Sequence, residues 1–415
     1  MSLDKSQNDW GWIKAKDFML FNPKESIKKG TVVKNVPMDK IEPKTKEIPS
    51  YELTEYKGGV KFRNGDILMA RITPCLENGK ISQVSILDYN EIGAGSTEFI
   101  VLREKEGISD KDFIYYLSNS EYFKEPAIKS MVGSSGRQRV QRDVVENLEI
   151  YVPPLETQKK IGKVLSFFDK KISLNKKINK NLEEQLSLLF NDWFVNCTPF
   201  KNEELIKSEW GVVPESWKDI EFGELIEITS GNRPDEKSED KTSEFNIPLF
   251  GASKIMGYTK EYSYNEDILI IGRVGTHGVV QRVNYPCFPS DNTFVIKSDY
   301  YGFVYQLLKR IDYDSLNTGS TQPLITQKSL KTVNAVLPDE KILSKFEMIS
   351  KTIFDKIQLN NDEISNLTKL RDTLLPKLMS GEIDVSKINC DLELKYNYMK
   401  YLFNQIHTPM SKSVV

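Results

Sequence analysis

Two stretches with the same helical spacing decide the fold of this chain: KKIGKVLSFFDKKISLNKKINKNLEEQLSLLF (159–190) and SKFEMISKTIFDKIQLNNDEISNLTKLRDTLL (344–375). In both, apolar residues recur mainly three or four positions apart, as they do on the buried face of an α-helix. Each stripe is longer than most helices of globular proteins. The pattern therefore favours two long helices that pair with each other over helices that pack only on their own domains.

The residues expected to form this coiled coil share an apolar side chain and helical spacing. They are Ile161, Val164, Phe168, Ile172, Leu182, Leu186, Leu189, Ile349, Ile353, Ile357, Leu367 and Leu374. Pro153–Pro154 and Pro338 precede the two helices, Thr157 and Asp339 are predicted N-caps, and Gly381 is the predicted end of the second helix. Roughly 35–40 residues give a rod of about 50–60 Å.

The helices belong to an internal repeat. NGDILMARITPCLENGKISQV (64–84) returns in outline as NEDILIIGRVGTHGVVQRV (265–283), and GSTEFIVL (95–102) parallels SDNTFVIK (290–297). Ahead of the helices, GSSGRQRVQRDVVENLEIYVPP (133–154) parallels GSTQPLITQKSLKTVNAVLP (319–338). Short apolar runs separated by turn signals are typical of β-rich domains. We expect an α+β fold: two pseudo-twofold-related β-rich domains separated by two long antiparallel helices that form a coiled coil.

The repeat also predicts the domain boundaries. They are a first recognition domain at 1–152, a central helix at 153–200, a second recognition domain at 201–337, a C-terminal helix at 338–385 and a tail at 386–415. The sequence leaves the structure of the tail open.

Composition limits the class of protein. The 415 residues carry a net charge of −2, which excludes an overall basic coat but not a local basic face. Four cysteines lack C-x-x-C spacing, which favours a reducing, cytoplasmic setting over a zinc site or a disulfide framework. We find no secretory signal and no run long enough to span a membrane.

Catalytic motifs are not found in this sequence. It holds only two histidines, His277 and His407, and no metalloprotease, phosphate-loop, dinucleotide or S-adenosylmethionine motif. The segment GRVGTHG (272–278) is glycine-rich but lacks the lysine of a phosphate loop. We therefore expect a non-catalytic chain with no metal site and no cofactor of its own.

The loops carry the chemistry of DNA recognition. Arginine pairs favourably with guanine and glutamine or asparagine with adenine, while many donors bind phosphates. Most of the candidate DNA-binding residues lie in loops at repeated positions, and Arg233 lies in a separate loop that opens the second domain. The candidates are Arg71, Asn78, Lys80, Arg137, Gln138, Arg139, Gln141, Arg142, Arg233, Arg273, Thr276, His277, Ser320, Thr321 and Gln322. Each one alone could be an ordinary exposed loop residue; their repetition favours function.

In its repeat and its helices, the chain resembles a specificity (S) subunit of a type I restriction–modification system. The resemblance covers roughly residues 10–385 and depends on FRNGDILMARITPCLENGKI (62–81), LSLLFNDWFVNCTPF (186–200) and LLPKLMSGEI (374–383), in that order. It implies recognition of a bipartite, asymmetric double-stranded DNA target, one half per recognition domain, with the helices as a ruler between the halves.

The resemblance also implies partners and their cofactors. Two methyltransferase (modification) subunits would dock on the helices, and restriction/translocase subunits would join them. S-adenosylmethionine, ATP and Mg are expected on those partner subunits, which methylate adenine and cleave DNA. The alternative left open by the residues themselves is a non-DNA-binding coiled-coil adaptor with two β-rich protein-interaction domains.

Overall fold

The computed structural model describes residues 10–134, 136–317 and 324–385. Two of its helices are far longer than the others, with 36 and 40 residues. The helices are α1 (Ala15–Phe18), α2 (Lys111–Asn119), α3 (Glu121–Lys129), α4 (Arg142–Glu146), α5 (Leu155–Phe190), α6 (Tyr301–Leu308), α7 (Gln327–Lys331) and α8 (Glu340–Met379). A π-helical turn at Asn191–Val195 follows α5, and short 3-10 turns lie at Met38–Lys40, Thr198–Phe200 and Phe222–Glu224.

The strands are short and fall into two groups, one before α5 and one between α5 and α8. The first group is β1 (Gly11–Lys14), β2 (Met19–Phe21), β3 (Val32–Val36), β4 (Glu52–Glu55), β5 (Val60–Phe62), β6 (Ile67–Ala70), β7 (Ile81–Gln83), β8 (Gly93–Gly95), β9 (Phe99–Glu104) and β10 (Glu149–Val152). The second group is β11 (Leu205–Lys207), β12 (Val212–Pro214), β13 (Lys218–Glu221), β14 (Glu227–Ser230), β15 (Ile247–Phe250), β16 (Ile255–Thr259), β17 (Ile268–Gly272), β18 (Gln281–Val283), β19 (Phe288–Pro289), β20 (Thr293–Lys297) and β21 (Asn334–Leu337).

The chain divides into two compact units. Unit 1 comprises Met1–Lys177 with Asn361–Val415, and unit 2 comprises Ile178–Asn360. Both long helices therefore contribute residues to both units. Among the described residues, no helix is long and apolar enough to cross a membrane.

The two units have corresponding sheets. Unit 1 contains an antiparallel sheet in the order β2-β9-β6-β7, and unit 2 contains one in the order β14-β20-β17-β18. Unit 1 adds a mixed sheet β4-β3-β8-β5 and unit 2 a mixed sheet β16-β15-β19, each with one parallel pair. The pair β1-β10 corresponds to β13-β21, while β11-β12 belongs to unit 2 alone among the described strands.

The apolar stripes of the long helices pack in two directions. Ile161, Val164 and Phe168 are buried in one core with strands of unit 1 and with Leu367 and Leu374 of α8. In unit 2, Leu186 shares a core with strands of that unit, while Leu182, Leu189, Ile349 and Ile353 are half-buried. Ile172 and Ile357 are buried as well. Helix pairing and packing on the unit's own core, which the sequence presented as alternatives, therefore occur together.

Contacts within each unit give the direction of the helices. In unit 1, Asp169 contacts Arg371 and Asn175 Nδ2 donates to Glu363 Oε2 at 2.8 Å. In unit 2, Asn360 Nδ2 donates to Asn179 Oδ1 at 2.7 Å, and the rings of Phe190 and Phe346 lie 5.9 Å apart. Residue numbers rise along α5 as they fall along α8, so the helices are antiparallel. The predicted fold class is confirmed.

Two predicted helix ends are confirmed and one is wrong. Asp339 precedes α8, and its Oδ1 accepts from the Lys341 N–H at 2.8 Å. Gly381 follows α8 with φ +78°, the conformation in which glycine commonly ends a helix. Thr157 is not an N-cap, because α5 begins at Leu155 and Thr157 lies within its first turn.

The early start of α5 has a local cause. The Pro154 carbonyl already accepts the Gln158 N–H at 3.0 Å, so the first turn closes before Thr157 could cap it. The buried Gln158 side chain then accepts from the Asp110 N–H and donates to the Pro153 and Ile108 carbonyls.

A buried polar network joins α2, α5 and α8 in unit 1. The Tyr116 hydroxyl donates to Asp169 Oδ2 at 2.5 Å, and Arg371 Nη1 donates to Asp169 Oδ1 at 2.5 Å. Burial raises the pKa of Tyr116 well above its usual value, which keeps the hydroxyl protonated as a donor. Unit 2 has a corresponding contact, since Tyr305 Oη and Arg282 Nη2 both donate to Glu183.

We predict that Arg371→Ala lowers the free energy of unfolding by about 3–5 kcal/mol, because it leaves the Asp169 carboxylate buried without its cation. Urea unfolding followed by tryptophan fluorescence measures the change. The control is Lys129→Ala, which removes a cation from an exposed ion pair with Glu125 and should change stability by less than about 0.5 kcal/mol. Equal effects of the two substitutions would contradict this account of the network.

Candidate nucleic-acid interface

Three segments of unit 1 meet where β6 ends. Arg71 follows β6, and its N–H donates to the Glu98 carbonyl at 2.9 Å, just before β9. The Arg71 carbonyl accepts the Val140 N–H at 2.8 Å, which attaches the loop between α3 and α4. That loop is closed by paired hydrogen bonds between Val132 and Arg139, at 3.0 and 2.9 Å. Residues 136–141 of this loop therefore lie beside the end of the central strand.

Unit 2 repeats the two hydrogen bonds that the backbone of Arg71 makes. The Arg273 N–H donates to the Asn292 carbonyl at 3.0 Å, and the Arg273 carbonyl accepts the Ile325 N–H at 2.9 Å. The bridge between Val274 and Leu324 corresponds to the one between Ile72 and Arg139. Arg71 thus corresponds to Arg273, Glu98 to Asn292 and Arg139 to Leu324.

The structural correspondence shifts part of the sequence repeat by one residue. Ala70 pairs with Phe99 and Gly272 pairs with Thr293, so Phe99 corresponds to Thr293 and not to Phe294. A one-residue shift in a strand exchanges the two faces of a sheet, and the cores decide which register is right.

Arg139 has an acidic partner inside unit 1. Its Nη2 lies 2.6 Å from Glu98 Oε1, and its Nε donates to the same carboxylate. The hydrogen bond from Arg139 holds the pKa of Glu98 below its ordinary value. Arg137 is exposed instead, and its side chain has no partner among the described residues. The two arginines of one loop therefore differ: Arg137 points its charge to solvent, and Arg139 neutralises Glu98.

Several other candidates of unit 1 also bond within the protein. Arg142 Nε donates to Glu146 Oε1 at 2.6 Å, Lys80 Nζ donates to the Met38 carbonyl at 2.9 Å, and Gln141 Nε2 lies 3.4 Å from the Arg139 carbonyl. Asn78 is exposed and Gln138 is half-buried. Arg142 was expected in the loop but is the first residue of α4, where its side chain pairs with Glu146 one turn later. The other four lie in the loops predicted from the sequence, but only some present a side chain without a partner in the described part of the chain.

The candidates of unit 2 are fewer. Arg233 and Thr276 are exposed. His277 Nδ1 lies 3.1 Å from the Gly272 carbonyl, and its ring stacks on Tyr313 with centroids 6.4 Å apart. Ser320, Thr321 and Gln322 lie outside the described residues, as does the tail at 386–415.

Glu98 is the site residue that sequence reasoning missed. Its signal was an acidic residue directly before the repeated apolar strand, where the second copy has a neutral residue. In the described residues, no group of histidine, cysteine or acidic side chains could hold a metal ion. Cys75, Cys197 and Cys287 are free thiols.

The fold is that of a protein with two corresponding β-rich units, each with polar loops at the end of its central strand, and two long antiparallel helices that contribute to both units. The family model for the type I restriction modification DNA specificity domain matches residues 7–184 and 214–369. Because this match covers most of the chain, the protein belongs to the family of type I restriction–modification specificity subunits, and the resemblance noted in the sequence is confirmed.

Individual relatives agree with the family. The chain is 28% identical over 313 residues to the type I restriction enzyme MjaIX specificity subunit of Methanocaldococcus jannaschii, covering 68% of this chain and 71% of that protein. It is 23% identical over 409 residues to the HindI specificity subunit of Haemophilus influenzae, covering 78% and 87%. The crystal structure of a type I S subunit from M. genitalium has the same fold, with a TM-score of 0.55, 17% identity and coverage of 91% and 98%.

Family membership also answers the question of catalysis. Specificity subunits are the non-catalytic members of these systems, so the expectation that this chain is not itself an enzyme is confirmed. DNA recognition and assembly with other subunits are the general properties of the family.

We predict that Arg139→Leu raises the pKa of Glu98 toward its ordinary value, because the guanidinium that stabilises the carboxylate is removed. An NMR titration of isotope-labelled glutamate side chains measures the pKa. Arg137→Leu is the matched control, since it removes the same charge from the same loop and should leave the Glu98 pKa unchanged. A shift of equal size in both variants would mean that the loop's overall charge, and not the ion pair, sets the pKa.

Proposed function

We propose that this chain binds a bipartite, asymmetric double-stranded DNA target, with one half of the target read by each unit. The observation that carries the proposal is the repeated end of the central strand, where corresponding backbone hydrogen bonds present polar loops in both units. The loops differ in side chains at corresponding positions, as Arg139 and Leu324 illustrate. A common backbone arrangement that carries different side chains is what the recognition of two different half-sites requires.

The chemistry of the exposed residues supports DNA as the ligand. Arg137 and Arg233 offer guanidinium donors, and Asn78 and Thr276 offer donors and acceptors, all in exposed loop positions. Arginine and asparagine are side chains that bind base edges in pairs of hydrogen bonds, and each also binds phosphate.

The two long helices support the proposed spacing between half-sites. A helix of 36 residues is about 54 Å long and one of 40 residues about 60 Å long. One turn of DNA is about 34 Å long, so helices of this length suit half-sites more than one turn apart. Antiparallel pairing with buried polar contacts would stiffen them as a ruler.

We propose that the same helices dock two methyltransferase subunits and that restriction/translocase subunits complete the assembly. Large apolar side chains remain exposed on them: Leu174 and Leu188 on α5, and Met348 and Leu359 on α8, each more than half exposed. A protein partner that covered these side chains would bury apolar surface, which favours association. S-adenosylmethionine, ATP and Mg would then bind to those partners and not to this chain.

We predict that replacing residues 212–337 with the corresponding segment of another specificity subunit changes one half of the methylated DNA sequence and leaves the other half intact, because each unit has its own core. Methylome sequencing of a host that expresses the hybrid with its partner subunits gives the result. The unaltered chain in the same host is the control. A change in both halves would contradict the assignment of one half-site per unit.

The competing function, a coiled-coil adaptor without DNA binding, makes a different prediction. An electrophoretic shift with mixed-sequence duplex at low salt, with and without the methyltransferase subunits, separates the two. DNA binding in either condition supports the proposal. A complete lack of binding in both, at protein concentrations well above those typical of non-specific DNA binding, would favour the adaptor.

A further inference from the structure

Arg71 and Arg273 occupy the same place in the two units. Each is the first residue after the central strand of its antiparallel sheet, and the strand registers that precede them, Ala70 with Phe99 and Gly272 with Thr293, correspond. Their backbone groups make the same two hydrogen bonds. Among the candidate DNA-binding residues that the structure describes, these two are identical in type and in position.

Each guanidinium has one enclosed donor without a partner in the described part of the protein. The Nε of each is enclosed and has no hydrogen-bond partner among the described residues, and neither arginine forms an ion pair in the described ranges. Arg273 lies over the ring of Phe294, with its guanidinium carbon 5.6 Å from the ring centroid. An enclosed Nε–H that has lost its water without gaining a partner is costly, and in unit 1 Arg71 acts on Glu98 only at a distance, since that carboxylate is bonded to Arg139. The presence of such a donor at the same position in both units indicates an anion supplied from outside.

The residues around the two arginines give both sites the same net charge. In unit 1, the corresponding positions hold Arg71, Glu98 and Arg139, and the ion pair between the last two leaves one net positive charge. In unit 2 they hold Arg273, Asn292 and Leu324, which again leaves one. The pair Glu98–Arg139 therefore replaces a neutral pair without changing the local charge, and in both units that charge resides on the arginine after the central strand.

We infer that Arg71 and Arg273 are corresponding phosphate anchors, each holding the DNA backbone against its unit. This inference rests on the proposed function. A contact that both units share cannot distinguish two different half-sites, whereas a phosphate is common to every half-site. Discrimination between bases then belongs to residues that differ between the units. In unit 1, Arg139 neutralises Glu98 and so leaves the positive charge of Arg71 available to a phosphate.

The first test measures the binding of the full-length chain, together with its methyltransferase subunits. The two ligands are a mixed-sequence duplex and an unmethylated duplex that carries the sequence which the complex methylates in the host. Arg71→Ala and Arg273→Ala should each weaken binding to both duplexes by a similar factor, roughly tenfold, and lower the slope of log affinity against log salt by about one. Arg→Lys at either position should retain most of the affinity, since lysine keeps the charge.

Controls separate this role from a structural one. Lys111 lies beside Gly65, at the opposite end of β6 from Arg71, and Lys111→Ala removes the same charge from the same unit. It should leave affinity and salt slope unchanged. The thermal midpoint of Arg71→Ala should stay within about a degree of the wild type, because the guanidinium makes no hydrogen bond or ion pair with the described residues and acts on Glu98 only at a distance. If the midpoint falls together with the affinity, and Arg71→Lys also lowers both, the residue is structural and the inference is wrong.

The second test uses the difference between the units. Arg139→Leu alone should weaken DNA binding, because the unpaired Glu98 carboxylate then neutralises Arg71. The double change Glu98→Asn with Arg139→Leu reproduces the residues of unit 2 and should restore binding. If the double variant stays as weak as Arg139→Leu, Arg139 contacts DNA itself and its proposed role beside Arg71 is overturned.

The outcomes distinguish the inference from the function on which it rests. Wild-type chain that binds no duplex overturns both. Wild-type binding with unchanged affinity in Arg71→Ala and Arg273→Ala overturns only the anchors. Loss of binding to the methylated sequence alone, with mixed-sequence binding intact, assigns the two arginines to bases and overturns the phosphate assignment.

Discussion

The antiparallel contact between α5 and α8 is the constraint on which the rest of the structure depends. In unit 1, Asp169 of α5 is buried between the Arg371 guanidinium of α8 and the Tyr116 hydroxyl of α2. Burial of a carboxylate is tolerated only when both of its oxygens have strong donors, so this residue fixes two helices and a recognition domain at once. In unit 2, the half-buried Glu183 of α5 accepts from Tyr305 of α6 and from Arg282 of β18. Each β-rich domain is thereby attached to α5 by a carboxylate with two donors and not only by apolar packing, which has no preferred direction.

The polar loops depend on this attachment indirectly, through the central strands. All four residues of β6 and all five of β17 are buried, so these strands cannot shift without moving their whole unit. The residue after each strand is the first to leave the core, and it is an arginine in both units. Its backbone then binds the two neighbouring segments that carry the differing side chains. The backbone arrangement is therefore common to both units and set by buried strands, while the side chains attached to it differ between the units.

Much of this was accessible from the sequence. Helical spacing over two long stretches predicted α5 and α8, Asp339 and Gly381 marked two of their ends, and the repeat predicted two β-rich halves. The wrong N-cap at Thr157 arose because the start of α5 is set by the Pro154 carbonyl and by the buried Gln158 side chain, which bonds to Asp110 far away in sequence. For the loops, the sequence indicated the right segments but could not rank their side chains. Arg137 and Arg139 are two residues apart and chemically identical, yet only one of them lies beside a carboxylate.

The sequence by itself determined the elements and their repetition, because periodicity and turn residues are local properties of the chain. It also determined the family, through the order of three motifs. Only the tertiary structure decided which residues of the two halves correspond, since a shift of one residue exchanges the faces of a strand and is visible only from the cores on either side. Only the tertiary structure, again, brought Glu98 to Arg139 across 41 positions and left Arg71 and Arg273 without an ion pair among the residues that the structure describes. Charge compensation depends on distances in space, and neither spacing nor composition of the sequence contains them.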